Sequence, residues 1–291
     1  MPRPPRPSPK FDTILHVRSR QNARLKELRQ HLLHPSREGD GRIAIEGIHL
    51  LQEAVRSGLA IETLFVREDL ATEMPPVPAR ETLLVAEDAF NHACATETPQ
   101  GVAALVQTPT KSLPQILQTK DPLLVVLDGI QDPGNLGTVL RSAEAFGATG
   151  VLLLPGAVSP WNPKAVRASA GSVFRVPLVS VTDTQALLRQ LRQHGITLYA
   201  AAARHGTDIA KSPLTGPVAL LIGNEGAGVS ANLLHLSDGR VYIPCVGPVE
   251  SLNAGVAASI LLYAAAQQRS TGAACQDHSS TKLGKAESVL P

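Results

Sequence analysis

Three short stretches of this 291-residue chain carry residue types able to hold and orient a ligand. The first, DGIQDPGNLGTVLR (128–141), lies where an apolar run gives way to a helical pattern. Its glycines and Pro133 favour a tight turn, and Asn135 is placed as an N-cap. Arg141 falls about a turn and a half into an otherwise apolar helix. The same residues also describe a capped structural turn with Arg141 on a solvated face. The second stretch, LIGNEGAGVS (221–230), again ends an apolar run and offers bare backbone N–H and C=O groups able to grip a purine edge. Glu225 within it is either a charge partner for a nearby arginine or a solvated turn residue. The third, YIPCVGPVESLNAGVAAS (242–259), brings Ser251 and Asn253 to the start of a long helix, where side-chain oxygens and free N–H groups converge. The small residues that follow allow another backbone to approach closely. Taken alone, this stretch reads equally as a capped helix packed on a neighbour.

The elements that must position these loops follow from periodicity. LLVVLD, GVLLL, RVPLVS, ITLYAA, VALLIG and RVYIP read as strands, separated by helical patterns in NLGTVLRSAEAFG, WNPKAVRASAG, DTQALLRQLRQHG and SLNAGVAASILLYAAAQQR. Continuous Val/Leu/Ile strands alternating with helices predict a parallel sheet covered on both faces. In such sheets ligands bind at the carboxyl ends of strands, where the first two loops lie. Upstream, VRSRQNARLKELRQHLL predicts a helix over about 17–33, with Val17, Leu25, Leu28, Leu32 and Leu33 at mostly helical spacing and Arg18, Arg20, Arg24, Lys26 and Arg29 between them. RIAIEG, IETLFV, TLLVAE and GVAALVQ read as strands, and HLLQEAVRSG as a helix ended by Gly58. The boundaries expected are a basic, Pro-rich disordered tail over 1–14, a small α/β domain over 15–110, a linker over 111–120, the parallel-sheet domain over 121–270 and a disordered tail over 271–291.

Composition narrows the chemistry. The net charge of +2 hides ten Lys/Arg against four Asp/Glu in residues 1–42 and 17 against 21 thereafter. A basic arm on a near-neutral body suits a polyanionic partner, although a solvated tail reads as well. With aromatics at 3%, a nucleic-acid grip would lean on charge and backbone more than on stacking. Cys94, Cys245 and Cys275 form no C-x-x-C pair, so neither a disulfide framework nor a zinc site is expected, and a reducing, cytoplasmic setting fits. The start MPRPPRPSPK lacks an apolar core for secretion, and its five prolines oppose an amphipathic transit helix. No run of 18 apolar residues predicts a membrane span. The Rossmann, Walker and G-x-S-x-G patterns are absent, which disfavours a nucleotide-dependent oxidoreductase or hydrolase on a plain doubly wound sheet.

In their order and spacing, the three loops resemble the signature motifs of the SpoU branch of the SPOUT RNA methyltransferases. LDGIQDPGNLGTVLRSAEAFGATGVLL resembles the first motif, LLIGNEGAGVS the second and IPCVGPVESLNAGVAASILLYAAAQQR the third. NPKAVRASAGSVFRVPLV fits the intervening pattern, and SRQNARLKELRQHL, RIAIEGIHLLQEAV and TPQGVAALV resemble the family's RNA-binding substrate domain, so the likeness covers about 15–269. The resemblance implies a trefoil-knotted parallel-sheet α/β methyltransferase domain, a homodimer, and S-adenosylmethionine as cofactor. It implies RNA as substrate, ribosomal RNA first and transfer RNA second, methylated on a ribose 2′-OH. Backbone around Gly223, Ile243 and Leu252, with Ile222, Asn224 and Pro244, would hold the cofactor. Asn135, Arg141, Glu225, Ser251 and Asn253 match the polar catalytic positions, and no metal is implied. Arg18, Arg20, Arg24, Lys26 and Arg29 are the candidate RNA contacts. One departure stands out: the family usually follows the asparagine with valine and serine, and here stand Ala254 and Gly255. A missing hydroxyl there bears on a cofactor contact or on subunit packing, and leaves open a non-catalytic RNA-binding protein of the same fold.

Overall fold

A computed structural model describes residues 14–34 and 41–280, the last helix being described beyond residue 271 by its backbone alone. The expected N-terminal tail lies outside the described residues except for its last member, as do residues 281–291. The chain forms two compact units, one holding residues up to Pro109 together with Ser159–Arg175, the other Thr110–Val158 together with Val176 onward.

In chain order the first unit contains β1 (Ile14–Val17), α1 (Ala23–Leu33), β2 (Arg42–Glu46), α2 (Ile48–Arg56), β3 (Ile61–Arg67), β4 (Glu81–Val85), α3 (Glu87–Ala93) and β5 (Val102–Gln107). The sheet order is β1-β4-β3-β5-β2, parallel across β1, β4 and β3, with β5 antiparallel to both its neighbours. Leu25, Leu28 and Leu32 of α1 enter a core with Phe65, Leu83 and Phe90.

The helix expected from Val17 begins instead at Ala23. Val17 is the last residue of a strand, in register with Val85 of β4. The Asn22 side chain accepts the backbone N–H of Arg24 at 2.8 Å and starts the helix there. Arg18 and Arg20 therefore sit in a connecting loop.

The second unit opens with α4 (Leu113–Leu117) and continues through β6 (Leu123–Asp128), α5 (Pro133–Ala145) and β7 (Gly150–Leu153). The helix α6 (Pro163–Ala168), capped by Asn162, belongs to the segment grouped with the first unit. Then come β8 (Leu178–Ser180), α7 (Thr184–Gln193), β9 (Thr197–Ala201), β10 (Thr207–Asp208), β11 (Val218–Gly223), α8 (Ala231–Leu236), β12 (Gly239–Tyr242) and α9 (Ala254–Ser280). The strands pair in parallel in the order β10-β12-β9-β11-β6-β7-β8. Every residue of β11 is buried, as are Leu123–Leu127 of β6, which is why both read as unbroken apolar runs. The α/β parallel architecture expected from the alternation is the one observed. Expected to end at Arg269, α9 runs on to Ser280. The Ser270 and Thr271 hydroxyls both donate back to the Gln267 carbonyl at 2.9 Å, a pattern a helix accommodates.

α9 lies against α5 along matched positions. Ser142 and Ser259 hydroxyls meet at 2.6 Å, and Phe146 and Tyr263 pack edge to face at 5.6 Å. Further along, the Arg269 guanidinium donates to the carbonyls of Leu214 (2.9 Å), Asp121 (2.7 Å), Pro122 (3.4 Å) and Gly216, tying the helix to the two segments that lead into β6 and β11. Truncation would leave several part-buried carbonyls without this donor. Arg269→Ala is expected to lower stability by about 2–4 kcal/mol, read as a smaller urea midpoint at unchanged slope.

Candidate active site

β6 and β11 are neighbours in register, Asp128 beside Gly223, so the loops that follow them leave the sheet side by side. The loop after β11 folds back on itself. Asn224 and Gly228 exchange backbone hydrogen bonds of 3.0 and 2.8 Å, and the Asn224 side chain accepts from the N–H groups of Gly226 and Ala227. Its amide donates to the carbonyl of Gly129 at 2.8 Å, joining the two loops. Gly223 is required by space: a Cβ there would sit 2.0 Å from backbone atoms of Gly228 and Val229.

A polar chain then links all three stretches. Glu225 accepts the Asn135 amide at 2.8 Å and the backbone N–H groups of Gln131 (3.4 Å) and Asp132 (3.3 Å). Asn253 in turn donates to the Asn135 side-chain oxygen at 2.9 Å. Burial pushes the Glu225 pKa up, but the Asn135 amide and the backbone N–H groups outweigh it and hold the carboxyl below its ordinary value. Asn135 is not the expected N-cap. Asp132 is, accepting the Asn135 N–H at 2.8 Å, with Pro133 at the first helical position. That shift leaves the Asn135 side chain, buried among its partners, free to bridge Glu225 and Asn253. Asn253 caps α9, its oxygen accepting from Gly255 (3.0 Å) and Val256 (3.2 Å). Ser251 lies before the helix, in an exposed segment.

At the carboxyl ends of β9, β11 and β12 opens a cavity of about 700 Å³. Ile222, Gly223, Asn224, Ile243, Pro244 and Leu252 all line it, together with Glu225 and Ser251. Asn135 and Asn253 border it through their bonds to Glu225 and to each other. Arg141 does not line it; this residue is exposed on α5. Sequence reasoning missed the contribution of the loop after β9, Ala201–His205, and of Ala254, Ala257 and Leu261 from α9. The loop became visible only with the strand order, which sets β9 beside β11. Gly255 is not part of the lining. A Cβ on it would approach Thr138 of α5 to 3.1–3.2 Å, so its absent side chain is matched to a close helix–helix contact.

Of the five basic candidates in the first unit, three have partners in the chain. Arg20 pairs with Asp88, Arg24 with Glu27 (3.1 Å) and Glu81 (3.0 Å), and Arg29 donates to the carbonyl of His92. Arg18 and Lys26 are exposed. Among the described residues no group of three or more His, Cys, Asp or Glu side chains is placed to hold a metal ion, and no helix is long and apolar enough to cross a membrane.

A cavity at the carboxyl edge of a parallel sheet, walled in part by a glycine-rich loop, defines an α/β protein with a ligand site at its strand ends. Residues 122–263 match the model of the SpoU rRNA Methylase family, and residues 22–104 that of the MRM3-like substrate binding domain. The 23S rRNA (guanosine(2553)-2′-O)-methyltransferase RlmP of Bacillus subtilis is 33% identical over 247 residues, 85% of this chain and 97% of its own. The 23S rRNA (uridine(2479)-2′-O)-methyltransferase of Streptomyces viridochromogenes is 33% identical over 243 residues, 80% of this chain and 85% of its own. In structure, the SpoU methyltransferase AviRb from Streptomyces viridochromogenes, solved with the cofactor AdoMet, superposes with a TM-score of 0.76 at 31% identity over 86% of this chain and 98% of its own. The AdoMet-bound rRNA methyltransferase from Sinorhizobium meliloti gives 0.77 at 30% identity, over 88% and 98%. The chain belongs to the SpoU rRNA methylase family.

Proposed function

We propose that this chain is an S-adenosylmethionine-dependent methyltransferase acting on a ribose 2′-OH of ribosomal RNA. The observation that carries the reading is the coincidence of the cavity with the three motif loops, joined by the Glu225–Asn135–Asn253 chain. The residues present fit the cofactor: Ile222, Gly223, Asn224, Ile243, Pro244 and Leu252 wall the cavity, and the missing side chain of Gly223 lets the loop through Gly228 and Val229 lie directly against the strand end. When bound, the cofactor supplies a methyl group already activated by its sulfonium. The protein's share is to bind, to orient the hydroxyl and to give its proton a way out. Glu225 fixes Asn135, and Asn135 with Asn253 and Ser251 presents polar groups toward the target ribose. A guanidinium keeps its proton, so Arg141 orients the hydroxyl and a neighbouring phosphate while the proton leaves to phosphate or water.

Arg141 lies outside the cavity of its own chain, and this role therefore goes with the homodimer that is part of the proposal. Val256 and Tyr263 on α9, 45% and 51% exposed, suit such a contact. The trefoil knot belongs to the same proposal, as does the assignment of the first unit to RNA binding. Of the five candidate contacts Arg18 and Lys26 are the first to test, because Arg20, Arg24 and Arg29 also have partners within the fold. Replacing Arg18 and Lys26 with glutamine is expected to flatten the salt dependence of RNA binding by about 0.7 in log–log slope for each phosphate that is no longer neutralised. Filter binding between low and moderate salt reads this directly, and an unchanged slope removes them from the interface.

The test of the proposal is methyl transfer from labelled S-adenosylmethionine to total unmodified RNA, separated by size, with Arg141→Ala alongside. Label in the ribosomal fraction, lost in Arg141→Ala with cofactor affinity retained, is the expected result. Full activity in a folded Arg141→Ala protein would refute the role given to Arg141. Label confined to transfer RNA would select the second substrate reading, which the same cavity serves equally well.

A further inference from the structure

The loop between β9 and β10 contributes to the cavity lining two residues that the proposed methyl transfer does not use, Arg204 and His205. Both ends of this loop are bound to β12. Ala202 donates to the Val241 carbonyl at 2.9 Å, and Thr207 and Asp208 pair with Val241 and Tyr242. Gly206 lies flush on the same strand, where a Cβ would meet the Arg240 carbonyl oxygen at 2.6 Å. His205 is held at φ 61°, in the left-handed region a non-glycine residue rarely occupies. A short, fixed loop thus carries Arg204 and His205 beside Arg240.

All three residues are exposed, and among the described residues none has a carboxylate within ion-pair distance. The cavity's carboxylates, Glu225 and Glu250, belong to other loops. We infer that Arg204, His205 and Arg240 form a phosphate-binding rim that grips the backbone of the RNA substrate at the mouth of the cofactor cavity. This rests on the cavity being the methyltransferase site. The alternative anion is the carboxylate of the cofactor itself. Arg240 argues for RNA, because it does not line the cavity while Arg204 and His205 do, so the three cations are not confined to the space the cofactor would fill. Guanidinium groups match phosphate oxygens in a two-pronged geometry, and a fixed loop spends little entropy in presenting them.

The test compares the wild-type protein with Arg204→Gln/Arg240→Gln in three readouts: binding to an unmodified transcript of large-subunit ribosomal RNA across a salt series, cofactor affinity by calorimetry, and methyl transfer. The expected result is RNA binding weakened about tenfold at low salt, a log–log salt slope shallower by about 0.7 per phosphate released, and cofactor affinity unchanged. The single variants Arg204→Lys and Arg240→Lys keep the charge and should hold the wild-type slope. If the double variant binds RNA with wild-type affinity and slope while the wild type methylates, the inference is overturned and the proposed function stands. A loss confined to cofactor affinity also overturns it, in favour of a carboxylate contact. A wild-type protein that transfers no methyl group to any RNA refutes the function and the inference together.

Discussion

Gly223→Ala is expected to weaken cofactor binding by roughly a hundredfold, since overpacking costs about 1–3 kcal/mol even where side chains can yield. Here the added methyl meets backbone. It would lie 2.0 Å from Gly228 and Val229, in a loop pinned by paired hydrogen bonds between Asn224 and Gly228. Relief requires the whole turn to lift, which carries Asn224 away from Gly129 and Glu225 away from Gln131 and Asp132. Calorimetric titration with S-adenosylmethionine measures the loss, and a cooperative thermal transition confirms that the sheet persists. A wild-type dissociation constant in the variant would mean that the cofactor does not lie against this strand end.

Asn135→Ala is expected to lower the methyl-transfer rate by about 10²–10³, the range found when a single preorganised polar contact is removed from a reacting centre. The substitution takes away both the donor to Glu225 and the acceptor for Asn253, so the hydrogen-bonded chain that joins the three motifs is broken at its centre. Glu225→Gln probes the same chain by pH. The folded-state pKa of Glu225 is lowered, so its charge contributes stability that is fully present above the unfolded value. That contribution is lost as pH falls through the folded value. The wild type should therefore lose stability on the acid side more steeply than Glu225→Gln, in urea midpoints measured from neutral pH downward. Parallel curves would show that the carboxylate is not held as described.

Both predictions rest on residues legible in the sequence, for an identifiable reason. A buried parallel strand is a continuous apolar run, so LLVVLD and VALLIG announce themselves, and the glycine- and asparagine-rich residues after them fall at strand carboxyl ends. What the sequence withheld was adjacency. That β11 pairs with β6 on one side and β9 on the other is a property of the sheet, and only this order brings Ala201–His205 to the cavity. Cap competition was the second blind spot. Asp132, Pro133 and Asn135 all suit a helix start, and the choice of Asp132 is what turns Asn135 from a cap into a bridge. The third was a four-residue strand. Ile14–Val17 is exposed at three of its four positions and lacks the alternation that marks a half-buried strand, so in sequence Val17 reads as part of the helical pattern that follows. Arg20, Arg24 and Arg29 illustrate the same limit for charge: a count of cations says nothing of the acidic and carbonyl partners that occupy them.

The most direct test of the central claim is the chemical position of the transferred methyl group. RNA labelled by the wild-type protein and S-adenosylmethionine is hydrolysed in alkali, where a methylated 2′-oxygen cannot attack its own phosphate. Ribose methylation at the site described here requires the label to emerge in an alkali-resistant dinucleotide and to disappear with Asn135→Ala. Label released on mononucleotides would place the methyl on a base and contradict ribose methylation.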